Sequence, residues 1–129
     1  MTNSETENAK RKILVIDDEP EVCELLADFL RMQGYQAMYA SRSVEGLALA
    51  EKEKPDLVLL DIMMPEMDGL ECLQRIRKSS PESIVIMVSG LKDEKVAKEA
   101  IRLGAYDYIG KPFDLSYLKD NLLARIFMS

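Results

Sequence analysis

Two hydrophobic textures alternate along this chain from residue 12 onward. Short apolar or β-branched runs read as strands: ILVI (13–16), QAMYA (36–40), LVLL (57–60), IVIMV (84–88) and YDYI (106–109). After each run the apolar spacing changes to three and four residues, the period of a helix face. Val22, Leu25, Leu26 and Phe29 share one such face, as do Val96, Ala97, Ala100, Ile101 and Gly104. Val44, Leu47 and Ala48 mark a shorter second helix, Leu70, Leu73 and Ile76 a third, and Leu115, Leu118 and Leu122 the last. The punctuation agrees. Pro20 suits a first helical turn, Gly34 and Gly104 stand where helices should end, and Asp68 with Glu71 has the spacing of a capping box. Five strand–helix units in strict alternation predict an α/β fold, a doubly wound parallel sheet with helices on both faces. Residues 1–11 are polar and aperiodic and read as a flexible N-terminal tail; residues 12–127 form one domain.

Several of these strand-like runs end on groups that do not belong in a core. Asp61 closes the run LVLL, although Asp is a poor strand residue and costly to bury unpaired. Open parallel sheets bind ligands at the carboxyl ends of their strands, so the residues there matter most. The first strand ends in Asp17 and Asp18, the third in Asp61, the fourth in Ser89 and Gly90, and the fifth in Lys111 and Pro112. Three converging carboxylates repel unless a cation sits among them, and oxygen ligands completed by water suit Mg²⁺. A lysine adds a fixed positive charge, and a serine hydroxyl a hydrogen bond. These are the groups that phosphoryl oxygens need, and an aspartate among them can become an aspartyl-phosphate. Singly, each has a plainer reading: a turn for Asp17 and Asp18, a loop acid for Asp61, a cap for Ser89, a solvated Lys111. Their joint arrival at strand ends is what points to a site.

Composition removes alternatives. The net charge of −6 argues against direct nucleic-acid or anionic-membrane binding. No apolar run approaches a membrane span, the N-terminus lacks the apolar core of a signal peptide, and a cytoplasmic location is expected. The six glycines are scattered without a G-x-G, which disfavours a nucleotide or flavin loop. An aspartate-nucleophile phosphatase would place a second acid two residues after Asp61, where this chain has Met63. Cys23 and Cys72 are far apart and the chain has no histidine, so both read as packing thiols.

KILVIDDEPE, LVLLDIMMPEMDG, IVIMVSG and YDYIGKPF, in that order across residues 12–127, resemble the receiver domain of two-component response regulators. The resemblance implies a flavodoxin-like, CheY-like (βα)5 sheet in the order 2-1-3-4-5. It makes Asp61 the phosphoacceptor and groups Asp17, Asp18, Asp61 and the Met63 carbonyl around Mg²⁺, Asp17 acting mainly through bound water. Ser89 and Lys111 would hold the phosphoryl oxygens, and Ser89 with Tyr108 would form the switch. The Lys111–Pro112 bond is expected to be cis, Pro65 to shape the turn after Asp61, and Gly69 to start a helix. The implied donor is a phosphohistidine on a sensor histidine kinase or phosphotransfer protein. The domain would be a signalling phosphoacceptor that assists its own phosphorylation and dephosphorylation, not an enzyme. Its readout face (92–103, 106–109 and 115–127) would meet a downstream effector or output domain, and the charged KDEKVAKEAIR is compatible with a phosphorylation-dependent homodimer. Met63 and Leu91, both apolar, flank the expected path of hydrolytic water, which predicts a persistent phosphoryl group. The few residues after the last helix are too short for an output domain, so the output is expected in a partner or elsewhere in a longer regulator.

Overall fold

An interior strand of a parallel sheet is apolar on both faces because helices cover both. Three strands have this character: β1 (Lys12–Ile16), β3 (Leu57–Asp61) and β4 (Ile84–Ser89) bury nearly every side chain. In the computed structural model, which describes residues 11–128, they form the middle of a five-stranded sheet. The edges are β2 (Gln36–Ala40) and β5 (Asp107–Gly110), all pairings are parallel, and the order is β2-β1-β3-β4-β5. This is the order implied by the resemblance. Apart from Arg11, the tail expected at residues 1–11 lies outside the described residues.

The helices are α1 (Pro20–Met32), α2 (Ser43–Glu53), α3 (Gly69–Ser79), α4 (Glu94–Arg102) and α5 over residues 115–127. The last joins Leu115–Tyr117, a π-helical stretch at Leu118–Leu123 and Ala124–Phe127. Side chains alternate across the sheet, so successive strand residues feed two cores. Ile13, Val15, Leu57 and Leu59 pack with Leu26 and Leu30 of α1 and Leu118 and Leu122 of α5. Leu14, Ile16, Val58 and Leu60 pack with Ala50 of α2, Leu73 and Ile76 of α3 and Ala100 of α4.

Three helix faces differ from the expected ones. In α2 the residues against the sheet are Ser43, Gly46 and Ala50, while Val44 and Ala48 face solvent and Leu47 is half-buried. The cause is distance: a Cβ at Gly46 would lie 2.6 Å from Ile16 Cδ1, so this helix rides too close to the sheet for large side chains. In α1 the buried face is Cys23, Leu26, Ala27 and Leu30, and Leu25 is 58% exposed. In α4 only Ala100 is buried, and Ile101 points outward. The capping box at α3 is half made: Asp68 Oδ1 accepts from Leu70 N at 2.8 Å, but Glu71 pairs with Arg75 at 3.1 Å. Gly34 and Gly104 follow α1 and α4 at φ 98° and 109°, where side-chain-bearing residues are strained. None of the described helices is long and apolar enough to cross a membrane.

Candidate functional site

Parallel strands deliver their carboxyl ends to one edge, and the candidate groups meet there. Asp17 follows β1 and is 3% exposed; its N–H donates to Ala40 O (3.2 Å), and its Oδ1 accepts from Glu19 N (3.0 Å). Asp61, the last residue of β3, is 5% exposed, and its Oδ1 accepts from Met63 N at 3.0 Å. The second oxygens of both turn to one cation. Lys111 Nζ lies 2.5 Å from Asp17 Oδ2 and 3.3 Å from Asp61 Oδ2. Lys111 is held in place by the strand edge, its N–H donating to Ser89 O at 2.8 Å, and its peptide bond to Pro112 is cis, as expected.

The charges do not balance. Burial raises the Asp61 carboxyl above its ordinary range and the charge of Asp17 adds to this, while the Met63 N–H and Lys111 oppose it. Burial alone would lower the Lys111 pKa, but hydrogen bonds and charge from Asp17 and Asp61 outweigh it, so the group is raised and stays cationic. One ammonium between two buried carboxylates leaves one negative charge uncompensated. Asp18, exposed, adds another beside it. Among the described residues Asp17, Asp18 and Glu19 each offer an oxygen within 4.8 Å of the others. An oxygen-only donor set with surplus negative charge fits a hard divalent cation such as Mg²⁺. Glu19 was not singled out from sequence; its signal was the run DDE. Asp61, grouped with the metal ligands by the resemblance, here gives its second oxygen to Lys111 instead.

The other predicted residues surround this centre. Ser89, fully buried at the end of β4, accepts from Leu91 N through Oγ at 2.9 Å. The half-buried Tyr108 donates its hydroxyl to Leu91 O at 2.9 Å. Leu91 is thus tied to both proposed switch residues, a link that sequence did not disclose. A Cβ at Gly90 meets no atom within 4 Å, so the rim beside Ser89 is open. Met63 is exposed and Pro65 lies on the surface of the same loop. Gly69 closes the base of that loop: its N–H donates to Ile62 O at 3.1 Å, and a Cβ there would lie 2.4 Å from Ile62 Cα. Beside the acids runs a groove of 340 Å³ whose apolar wall is Val22, Leu25, Leu26, Pro112, Phe113 and Leu115.

A buried acid pair sharing a lysine thus stands at the carboxyl edge of a sheet in this order, the edge at which open parallel sheets bind their ligands. Residues 13–123 match the response regulator receiver domain, and the chain belongs to that family. It is 36% identical over 109 residues to sporulation initiation phosphotransferase F of Bacillus subtilis (strain 168), covering 84% of this chain and 88% of that protein. It is 39% identical over 110 residues to regulatory protein AtoC of Escherichia coli (strain K12), covering 85% of this chain but 24% of AtoC. Among four curated relatives, AtoC included, the chain spans 24% to 50% of their length. A response regulator protein from Burkholderia pseudomallei, solved with a phosphorylated aspartic acid, calcium ion and citrate, superposes with a TM-score of 0.83 at 26% identity. That match covers 91% of this chain and 69% of the other. Receiver domains of two-component systems are signalling domains rather than classical enzymes.

Proposed function

We propose that Asp61 accepts a phosphoryl group from a phosphohistidine on a sensor histidine kinase or phosphotransfer protein, and that the domain passes the change to a downstream partner or output domain. The observation that carries this reading is the pair of contacts from Lys111 Nζ to Asp17 and Asp61, 2.5 and 3.3 Å. Lys111 holds the nucleophile in the ground state and is within reach of the oxygens that a transferred phosphoryl would bring. In the step an Asp61 oxygen forms the P–O bond as the P–N bond breaks, and the electron pair leaves on the donor imidazole. Asp61 Oδ1 is oriented by the Met63 N–H. The Ser89 hydroxyl, its lone pair held by Leu91 N, has its proton to give to a phosphoryl oxygen. Asp17, Asp18, Asp61 and the Met63 carbonyl would hold Mg²⁺, with Glu19 adjoining. When bound, the cation neutralises charge on the acids and on the phosphoryl oxygens.

The apolar groove between α1 and the segment after β5 suits a helical partner that presents its histidine beside Asp61. Ser89 moving toward the phosphoryl group would strain its bond to Leu91, and through Leu91 O the anchor of Tyr108. That biases a two-state face made of α4, β5 and α5, which then meets its partner or a second copy. A cytoplasmic site follows from a cytoplasmic kinase donor. The test is intact mass after incubation with Mg²⁺ and acetyl phosphate, beside Asp61→Asn and an EDTA control. One base-labile phosphoryl adduct is expected on the native chain and none in either control; a stoichiometric adduct on Asp61→Asn would overturn the assignment. In the same samples, polar replacements at Met63 and Leu91 should speed adduct decay.

A further inference from the structure

Arg42 and Glu66 sit on connections that nothing in the sequence relates. Arg42 ends the β2–α2 connection, and Glu66 stands at the tip of the loop between β3 and α3. The two meet as a fork: Arg42 Nε donates to Glu66 Oε1 at 2.9 Å and Nη2 to Oε2 at 2.8 Å. In the order β2-β1-β3, a link from the exit of β2 to the exit of β3 spans the exit of β1, where Asp17 and Asp18 stand. The loop at 62–68 is also anchored from below by Ile62, Met64 and Met67, which pack into the core, and its backbone is tied at the base. Gly69 N–H binds Ile62 O, Met63 bridges to Asp68, and Asp68 caps α3. Arg42 is the N-cap residue of α2; its guanidinium, which has no acceptor to offer the helix N–H groups, is directed to Glu66. With side chains 63% and 33% exposed, the pair adds little to global stability. Bidentate geometry, however, fixes direction as well as distance.

We infer that the Arg42–Glu66 pair is a positioning clasp across the mouth of the acid pocket. It holds the loop whose Met63 N–H orients Asp61 and whose Met63 carbonyl would be among the ligands of a divalent cation, and so sets the affinity for that cation. The inference rests on the divalent-cation reading proposed above.

The test is a calorimetric Mg²⁺ titration of the full chain in five forms: native, Arg42→Ala, Glu66→Ala, both together, and the reversed pair Arg42→Glu with Glu66→Arg. The melting temperature of each is measured without metal. A clasp predicts that either truncation weakens Mg²⁺ binding about two- to five-fold, the reach of one exposed pair. The double truncation should be no weaker than either single one, because the two act as a unit. The reversed pair should recover most of the affinity, with metal-free melting little changed. A merely electrostatic influence has a different signature: losing Arg42 would tighten binding and losing Glu66 would loosen it. Opposite signs, or equal affinity in all five forms, would overturn the clasp. Failure of the native chain to bind Mg²⁺ would overturn the divalent-cation reading itself, and the clasp with it.

Discussion

Replacing Asp61 by Asn removes the proposed acceptor, and without divalent cation it should make the domain more stable. Asp61 is nearly inaccessible, and burial together with the charge of Asp17 raises its pKa above the ordinary 3.8 despite the Met63 N–H and Lys111. A carboxyl raised in the folded state binds its proton more tightly there than in the unfolded chain. Its contribution is therefore favourable below the unfolded pKa and is lost as pH rises through the folded one; at neutral pH the ionised group is a net cost. Asn keeps the volume, its Oδ1 can still accept from Met63 N, and Lys111 retains Asp17 at 2.5 Å. Relieving one imperfectly compensated buried charge gains about 1 kcal/mol. For a chain of 129 residues the unfolding entropy is roughly 0.27 kcal/mol/K, so the melting temperature should rise by about 4 °C. The assay is scanning calorimetry in EDTA at neutral pH and at several acid values. The gap between variant and native chain should narrow as pH falls toward the carboxylate range, and Mg²⁺ should also narrow it, by stabilising the native chain more than a variant that lacks one of the acids. A variant that melts lower than the native chain in EDTA at neutral pH, or a gap that widens in acid, would refute this account of the site.

Two further outcomes follow from the same geometry. Gly69→Ala drives a Cβ into the Ile62 backbone at 2.4 Å and should cost about 2 kcal/mol in urea unfolding, more than the helix propensity it gains. Gly90→Ala, with open space around it, should stay within about 0.5 kcal/mol; equal effects at both positions would contradict the packing argument. Lys111→Met strips the shared cation from two buried acids and should cost about 3 kcal/mol at neutral pH. Because the Lys111 pKa is raised, its contribution is complete at neutral pH and is lost only above the ordinary 10.5. Urea unfolding should show the penalty shrinking in acid, as the carboxylates protonate, and a variant as stable as the native chain would refute the pairing.

Strand identity was legible in the sequence because the two-residue alternation and the apolar runs are consequences of backbone geometry and burial. The runs at 57–60 and 84–88 were legible as strands from their apolar composition, and Asp17, Asp18, Asp61, Ser89 and Lys111 fell at strand ends by simple counting. The helix faces were less legible. Val44 and Leu25 have the right spacing and residue type for a core, but how closely a helix approaches the sheet decides which stripe is buried, and in α2 that approach is set by the contact of Gly46 with Ile16. Local pattern carries no term for the distance between a helix and the sheet.

The site divides in the same way. Sequence by itself determined which chemical groups stand at the carboxyl edge, since each either ends a strand or follows one within two residues. Only the tertiary structure decided which of them touch: that Lys111 bridges Asp17 and Asp61 across 94 and 50 residues, that Leu91 ties to both Ser89 and Tyr108, and that Arg42 reaches Glu66. Those contacts depend on strand order and on side-chain direction, both settled by packing the whole sheet at once. A hydrogen bond between distant residues leaves no periodic trace along a single chain.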